Sequence, residues 1–295
     1  MSGIKFRLSR LDIGVNLIYV IMAVMCVATL YPFLYVTAYA FSNAKTAIIS
    51  IISVIPVDPT FNNFKVVFSN PMIYNSMWIT VARTVVGTLY TLIVTGLASY
   101  SISKRYPGKR LFSILLIIPM YISGGLIPYY VVIRQLGLFN NFLVYILPAG
   151  FSAYYMLLMR TFFEGIPESL GESARLDGAG ELIIFFRLIL PLSMPIIATI
   201  AMFAGVAQWN SWFDGMVYIT RPNMRPMATL IQEMLQRFEQ SDLRRAIEQK
   251  VRDSTTSPES VKMATIIVST VPIICIYPFL QKYFIKGVII GAVKS

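Results

Sequence analysis

Long apolar stretches separated by short charged segments constrain this chain more than any other feature of its sequence. Several of these stretches reach about twenty residues, the length at which a helix crosses the hydrocarbon core of a bilayer. The hydrophobic fraction of 56% and the charged fraction of 13% lie outside the range of ordinary soluble domains. Because lipid leaves no water for exposed backbone groups, such stretches are expected to be helical. The sequence therefore predicts an all-α membrane protein.

The apolar stretches predict six transmembrane helices in a single domain that covers residues 1–295. The first is interrupted by Pro32, and no small-residue cleavage site follows a short apolar region, so we interpret it as an uncleaved span. Two longer polar segments separate the later spans, at 161–188 and 221–261. The predicted spans lie at about 13–41, 74–102, 111–133, 141–160, 188–220 and 262–282.

The distribution of basic residues predicts the orientation of these spans. Lys104-Arg105-Tyr-Pro-Gly-Lys109-Arg110 carries four positive charges and is the clearest cytoplasmic marker. With both termini cytoplasmic, thirteen of the 25 Lys and Arg residues lie on the cytoplasmic side. Eight of the remaining twelve fall within residues 221–262, and a long segment of this kind crosses the membrane more freely than a short loop. We therefore expect a multi-pass protein of the plasma (inner) membrane with both termini inside and an extracellular 221–261 loop.

Several kinds of chemistry are absent from the sequence. There is no histidine, which removes histidine-based metal sites and catalytic dyads. Cys26 and Cys275 each lie within an apolar run, so a disulfide framework is not indicated. No G-x-x-x-x-G-K-[ST] segment is present, so the chain does not bind the phosphates of ATP by itself. We predict no catalytic residues, no metal, no cofactor of its own and no nucleic-acid partner, since the net charge of +11 comes from residues that flank spans.

The charged segment 164–180 between the fourth and fifth spans has the pattern of a short capped helix in water. Pro167 suits a first helical turn, and Ser169-x-x-Glu172 has the spacing of a capping box. Gly178 can adopt the left-handed conformation that ends a helix. By these signals alone, the segment could equally be a well-capped surface loop.

The spacing of this segment carries a family resemblance. Glu172-Ser-Ala174, Gly178 and Leu188-Ile-Leu-Pro191 resemble, in register, the "EAA" loop of ABC-importer permease subunits, with Ser173 where that family usually has alanine. Phe186 to Leu192 fits the sugar-importer branch. The tail, Phe284-Ile-Lys-Gly followed by Gly-Ala-Val-Lys294, is similar to the tail of sugar-importer permeases. The resemblance covers nearly the whole chain and is closest to permeases for complex oligosaccharides or polysaccharides.

This resemblance implies the type I ABC importer permease fold, with a cytoplasmic coupling helix that docks into a cleft of an ATPase subunit. The implied partners are a second, homologous permease, two ATPase subunits that bind ATP and Mg²⁺, an extracellular substrate-binding protein and a carbohydrate. In that setting, apolar side chains of the loop would pack in the cleft and acidic ones would meet basic groups, although Asp177 also suits a turn before Gly178. The implied coupling residues are Glu168, Leu170, Glu172, Ser173, Ala174, Leu176, Asp177 and Gly178.

The end of the fifth span combines aromatic and polar side chains, which suits carbohydrate binding. Aromatic faces stack on the C–H surfaces of sugars, while amides and carboxylates bind hydroxyl groups. Arg83, inside the second span, is a further candidate, because an intramembrane charge is costly unless it has a function. The predicted substrate-path residues are Trp209, Asn210, Trp212, Asp214, Tyr218 and Arg83.

These substrate-path residues have simpler explanations that stay open. The aromatic residues suit an interfacial belt or helix packing, and Arg83 could extend its side chain to the interface. The 221–261 loop could contact a binding protein or be a plain linker.

Three other functions compete with the importer hypothesis. A secondary transporter for a small polar solute needs intramembrane carboxylates, and only Asp214 qualifies. A membrane-embedded enzyme is disfavoured by the missing histidines and carboxylate clusters. A scaffold without transport function would not need a coupling loop.

Overall fold

The structure is a computed structural model that describes residues 13–47, 54–239 and 256–292. These residues form helices and connecting turns, with one isolated β-bridge between Ser42 and Pro59 and no strand. The expected all-α class is confirmed for this part of the chain. The basic N-terminus before residue 11, most of the Ile48–Ile55 run, the charged stretch at 240–255 and the last three residues lie outside the described residues.

Fourteen α-helices follow one another along the described residues. Two short 3₁₀ turns, Phe142–Tyr145 and Pro222–Met224, and one π-helical stretch, Phe185–Ile189, lie between them. The α-helices are α1 (Ile13–Ala40), α2 (Ala44–Ala47), α3 (Asn62–Ser69), α4 (Pro71–Ser103), α5 (Lys109–Tyr121), α6 (Leu126–Gln135), α7 (Ala153–Glu164), α8 (Glu168–Leu176), α9 (Glu181–Ile184), α10 (Leu190–Leu192), α11 (Met194–Asn210), α12 (Phe213–Tyr218), α13 (Met227–Glu239) and α14 (Pro258–Ala292).

Three of the described helices are long and apolar enough to cross a membrane: Gly14–Ala40, Pro71–Ser103 and Pro258–Ile276. Two further segments qualify only as bent pairs. Helices α5 and α6 meet at 115°, and Glu181–Leu192 meets α11 at 86°. The described residues therefore offer three spans, or up to five if each bent pair is one span.

The fourth predicted span, 141–160, differs most from a continuous membrane helix. Its first part is the 3₁₀ turn that begins after Asn141, whose side chain accepts a hydrogen bond from the Leu143 N–H. Pro148 and Gly150 follow, and Ser152 then caps the new helix α7. Because two polar caps and a proline interrupt the apolar run, the continuous helix there has only the 12 residues of α7. The third and fifth predicted spans are likewise divided.

The chain divides into two compact units. One consists of residues 1–69 and 238–268. In its described part, the buried Asn63 fixes the turn after α1, since its side-chain amide donates to the carbonyls of Ala40 (2.9 Å) and Ser42 (3.0 Å). These bonds explain how a polar side chain is accommodated without exposure.

The second unit consists of residues 70–237 and 269–295, and α4 lies at its centre. Asn70 caps this helix by accepting a hydrogen bond from the Met72 N–H, and Pro71 occupies its first turn. Helix α4 packs mainly against α11 and α7. Its buried face is unusually polar for a membrane helix. That face carries Ser76, Thr80, Arg83, Thr91, Thr95 and Ser99.

Candidate functional site

A cavity of about 600 Å³ lies between the α5–α6 bend, the segment before α7 and the start of α12. This volume is within the range of small-molecule sites. Apolar and aromatic side chains form most of its wall, and among the described residues Asp214 is the one charged side chain that lines it. The full lining is Ser123, Gly124, Gly125, Leu126, Pro128, Tyr129, Val132, Val144, Pro148, Ala149, Ser211, Phe213, Asp214 and Tyr218.

Behind this wall, Arg83 of α4 bonds to three residues at the end of α11 and the start of α12. Its side chain is 2% exposed and forms an ion pair with Asp214, at 2.6 Å between Nη2 and Oδ2. The guanidinium also donates to Gln208 Oε1 through Nε (3.1 Å) and Nη2 (3.0 Å) and to the Ser211 carbonyl (3.0 Å). We refer to Arg83, Gln208, Ser211 and Asp214 as the cavity network.

The donors of Arg83 are fully used within this network. A guanidinium has five N–H donors, and five hydrogen bonds leave it, two of them to Asp214. Its carbon also lies 4.4 Å from the centre of the Tyr145 ring, a cation–π distance. Since all five donors of Arg83 are used within the described residues, the guanidinium has none left for a ligand.

Two members of the cavity network, Ser211 and Asp214, line the cavity, and the charged one is Asp214. Its side chain is 21% exposed and lines the cavity. Oδ1 accepts bonds from Arg83, from the Ser211 hydroxyl (3.1 Å) and from the Gly215 N–H (2.9 Å). Within the described residues, Oδ2 accepts one bond, from Arg83 (2.6 Å), and therefore retains acceptor capacity.

A close approach of α4 to α11 makes the network possible. A Cβ atom on Gly87 would lie 2.6 Å from Gln208 Nε2 and 2.8 Å from its Cδ. Gln208 cannot easily move away, because Nε2 donates to the Tyr145 carbonyl (3.1 Å) while Oε1 accepts twice from Arg83. Glycine at this position lets the buried amide lie against the backbone of α4.

The structure separates the predicted substrate-path residues into two groups. Arg83, Asp214 and Tyr218 lie together, with Asp214 and Tyr218 in the cavity wall. Trp209 is buried, and its indole N–H donates to the Ser269 carbonyl (3.2 Å). Asn210 and Trp212 are exposed and do not line the cavity.

The charged loop before the π-helical stretch contains the exposed helix α8. It begins after Pro167, which has no side-chain acceptor, so the predicted capping box at Ser169 is wrong: Ser169 lies inside the helix. The predicted C-terminus is right. Gly178 has φ 84° and donates to the Arg175 carbonyl (2.9 Å), and the Ala179 N–H donates to the Ala174 carbonyl (2.9 Å). These two bonds form a Schellman motif.

The predicted coupling residues are distributed over two faces of α8. Leu176 is 89% exposed and Leu170 is 41% exposed, an unusual pair of apolar side chains in water. Ala174 differs from the expectation that it faces a partner, because it packs on the chain's own apolar cluster around Phe163 and Phe185. The remaining predicted coupling residues are exposed, namely Glu168, Glu172, Ser173, Asp177 and Gly178.

A hydrogen bond attaches this loop to α4, and ion pairs lie within the loop and between the loop and the segment that joins α4 to α5. Glu181 accepts from the Tyr100 hydroxyl at Oε2 (2.6 Å) and from Arg175 Nε at Oε1 (2.7 Å). We refer to Tyr100, Arg175 and Glu181 as the loop network. Nearby, Arg105 approaches Glu168 at 3.8 Å in an exposed pair.

Glu164, at the end of α7, joins α7 to α5. It accepts from Arg160 Nε (2.9 Å) and Lys109 Nζ (3.2 Å). Partial burial acts to raise the pKa of this carboxyl, but the hydrogen bonds and charges of Arg160 and Lys109 outweigh it and lower the pKa below its ordinary value.

Sequence reasoning missed Tyr145, Tyr100 and Glu181. Tyr145 contacts Arg83 across a long separation in sequence, and no local pattern indicates this. Glu181 lies three residues after Gly178, and the Schellman turn at Gly178 brings it back towards Arg175. This predicted turn was the one feature of the sequence that could have indicated a contact between Glu181 and Arg175.

Apolar helices long enough to cross a membrane, a cavity with a carboxylate in its wall and the exposed helix α8 are compatible with a membrane transport subunit. Residues 87–290 match the family described as binding-protein-dependent transport system inner membrane component. The chain belongs to this family, whose members are permease subunits of ABC transporters, and this membership confirms the family predicted from the loop and the tail.

Individual relatives match over almost their full length. The chain is 33% identical to the polygalacturonan/rhamnogalacturonan transport system permease protein YtcP of Bacillus subtilis (strain 168), over 95% of this chain and 97% of that protein. It is 36% identical to Protein LplC of the same organism, over 90% of each. Among solved structures, a chain of a bacterial ABC transporter involved in the import of the acidic polysaccharide alginate is similar, with a TM-score of 0.83 and 29% identity, covering 92% of this chain and 96% of that one.

Proposed function

We propose that this chain is the permease subunit of an ATP-driven ABC importer and translocates a carbohydrate, an oligosaccharide, across the plasma membrane. The observation that carries the proposal is the combination of family membership with relatives named for polygalacturonan and rhamnogalacturonan transport and alginate import. The exposed helix α8 and the cavity beside Asp214 supply the two sites that such a subunit needs. The chain itself performs no bond-making chemistry.

The partners follow from this function. A second, homologous permease would complete the translocation path as a heterodimer, and an extracellular binding protein would deliver the substrate. Two ATPase subunits would bind ATP and Mg²⁺ and dock on the 164–191 loop from the cytoplasmic side. This arrangement requires both termini inside and six crossings, and the crossings at about 111–133, 141–160 and 188–220 would each consist of a divided helix.

The surface of α8 supports docking through this loop. Leu170 and Leu176 present apolar area that is normally buried, and the exposed Glu172 lies on the same helix. An apolar centre with a charged margin is typical of a specific protein interface. Ala174 instead fixes the helix to its own chain.

The cavity supports carbohydrate contact through Asp214, Tyr218 and Tyr129. A carboxylate oxygen with acceptor capacity can bind a hydroxyl group, and aromatic rings can stack on a sugar face. The described lining contains no Lys or Arg. This wall therefore suits hydroxyl groups rather than the carboxylates of an acidic sugar, which would meet the charge of Asp214.

The decisive experiment is to purify the tagged chain from its native membrane in mild detergent and identify the proteins that accompany it. We expect a second multi-span permease and an ATPase with a phosphate-binding loop. The double variant Glu172→Lys, Leu176→Asp should lose the ATPase and retain the second permease, because it alters only the exposed face of α8. Lys65→Glu, a charge reversal at an exposed position of α3, serves as the matched control and should retain both.

The competing function is secondary transport. The ion pair of Asp214 with Arg83 argues against it, since a carboxylate held by a guanidinium is poorly suited to carry a proton or Na⁺. Recovery of the chain without an ATPase, together with substrate movement in ATP-free vesicles, would replace the importer proposal with secondary transport.

A further inference from the structure

We propose that Tyr100 and Glu181 are positioning residues for coupling: with Arg175 they fix the end of helix α8 to helix α4, so that movement of the loop is transmitted to the cavity. This inference rests on the proposed function, in which α8 is the docking element for an ATPase. It assigns the loop network a role that neither the loop pattern nor the family membership gives to these side chains.

The end of helix α8 is rigid. The Schellman motif at Gly178 closes the helix with two 2.9 Å backbone bonds and reverses the chain. Ala174 and Ala179, on either side of this turn, both pack on the apolar cluster that includes Tyr100 and Phe185. The turn therefore cannot rotate freely against the cluster, and it holds Glu181 within reach of Arg175.

The carboxylate of Glu181 connects α8 to α4. One oxygen binds Arg175 at 2.7 Å and the other binds the Tyr100 hydroxyl at 2.6 Å, so a single side chain bridges α8 and α4. Both distances are typical of strong, charge-assisted bonds. The carboxylate of Glu181 is 54% exposed and Arg175 is 43% exposed, so the chain of bonds lies at the surface, where a docked partner would act on it.

Helix α4 connects Tyr100 to the cavity network. Tyr100 and Arg83 belong to the same uninterrupted helix α4 and are separated by 17 residues, or about 26 Å along the axis. Tyr100 is 6% exposed and its ring lies 5.3 Å from that of Phe185. Because α4 carries both Tyr100 and Arg83, a shift of its loop end displaces the residue that holds Asp214 at the cavity wall.

The local backbone after Glu181 is unusual. The chain continues from α9 into the π-helical stretch Phe185–Ile189, a geometry that is rare and is frequent at functional sites. The bend of 86° between Glu181–Leu192 and α11 follows directly. Phe185 belongs to this stretch and contacts Tyr100, so the π-helical stretch lies directly against the bond between Tyr100 and Glu181.

The experiment compares Tyr100→Phe and Glu181→Gln in the complete transporter, reconstituted in proteoliposomes. The number of ATP molecules hydrolysed per substrate imported is measured together with recovery of the ATPase. We expect both variants to retain the ATPase and to raise the ATP consumed per imported substrate roughly fivefold or more. Fivefold is the lower end of the range over which two coupled sites typically affect each other. The double variant should be no worse than Glu181→Gln alone, since the Tyr100 hydroxyl acts in the loop network through its bond to Glu181.

Ser101→Ala is the matched control, because the Ser101 hydroxyl is exposed on the same helix and, among the described residues, bonds to the Leu97 carbonyl of its own turn (2.9 Å). An unchanged ATP-to-substrate ratio in both variants, in an intact complex, would overturn the positioning role and leave the importer function standing. The same rise in the Ser101→Ala variant would also overturn it. If the unaltered chain recovers no ATPase, the importer function and this inference both fail.

Discussion

The cavity network and the loop network each have one member on helix α4, Arg83 and Tyr100, and they hold their charged side chains in opposite ways. In the cavity network, Arg83 is 2% exposed and all of its donors are used by groups that are fixed in place. In the loop network, Arg175 and Glu181 are half exposed. The carboxylate of Glu181 accepts hydrogen bonds from both Arg175 and Tyr100. One network is buried and closed, and the other is accessible and open to a partner.

This difference indicates what each network can do. A buried, fully paired charge is costly to break, so the cavity network is suited to holding Asp214 in one position. The ion pair of Arg175 with Glu181 is exposed and contributes little to the stability of the chain, so its loss is not expected to unfold the protein. We therefore expect substitutions in the cavity network to reduce stability strongly, and substitutions in the loop network to alter coupling without unfolding the chain.

Arg83→Ala should have the largest effect. Removing the guanidinium leaves Gln208 Oε1 buried without a donor and leaves Asp214 with only the bonds from Ser211 and Gly215 to its Oδ1, a loss of about 3–5 kcal/mol for a broken buried pair. The measurement is the thermal unfolding midpoint of the purified transporter in detergent. Arg105→Ala removes an exposed side chain whose pair with Glu168 is 3.8 Å long, and it serves as the control. Its loss should change the free energy of unfolding by about 0–1 kcal/mol, and the midpoint should shift little.

A double variant can show whether the loss of stability in Arg83→Ala comes from the unpaired carboxylate of Asp214. In the double variant Arg83→Met, Asp214→Leu, no unpaired charge remains, so the unfolding midpoint should recover part of the loss. A double variant less stable than Arg83→Ala would contradict the view that the cost comes from the unpaired carboxylate.

Gly87→Ala should have the second largest effect. The new Cβ would lie 2.6 Å from Gln208 Nε2, which is held by the Tyr145 carbonyl and Arg83. The overpacking is expected to cost about 1–3 kcal/mol, measured as a lower unfolding midpoint. Gly205→Ala is the matched control in α11, since its Cβ would meet Thr88 Oγ1 at 3.6 Å, an ordinary contact. Equal midpoints for the two variants would show that α4 and α11 do not approach as described.

Gly178→Ala tests the end of α8. Its φ of 84° is unfavourable for alanine by about 1–2 kcal/mol, although its surroundings are open. Because the turn positions Glu181 next to Arg175, we expect reduced import with a small change in unfolding midpoint. Gly180→Ala, where φ is −71° and the surroundings are equally open, should leave both unchanged. Lower import in the Gly180→Ala variant as well would show that the left-handed turn is not the cause.

The sequence allowed the helical class, the position of α8 and its glycine terminus to be predicted from local signals. The apolar runs indicated membrane helices because lipid permits little else, and Gly178 indicated a left-handed turn because few other residues adopt it. Arg83 and Asp214 were each identified as unusual, since a charge in an apolar run needs a reason.

The sequence could not indicate that Arg83 and Asp214 form a pair. They are separated by 131 residues, and the pairing depends on how α4 packs against α11 and α12. The broken helix in 141–160 was missed because hydropathy averages over the caps at Asn141 and Ser152. Tyr100 was missed because a tyrosine in an apolar run carries no signal until Glu181 is brought to it in three dimensions.

The smallest expected effect concerns Glu164, which is 38% exposed and joins α5 to α7 outside both networks. Arg160 and Lys109 lower the pKa of Glu164 in the folded chain. Its contribution is therefore fully present above its ordinary pKa of 4.5 and is lost as the pH falls through the lower, folded-state value. Glu164→Gln should lower the unfolding midpoint slightly at neutral pH, by the roughly 0.2–1 kcal/mol of an exposed pair.

The pH dependence of this difference separates an ion pair from simple packing. The midpoint of Glu164→Gln should approach that of the unaltered chain as the pH falls through the lowered folded-state pKa of Glu164, because below it both chains carry a neutral side chain at this position. Glu168→Gln is the control, because its 3.8 Å pair with Arg105 is long and exposed and should give no measurable difference at either pH. A Glu164→Gln difference that persists at low pH would mean that the side chain acts through its shape, and that the charges of Lys109 and Arg160 are not what joins α5 to α7.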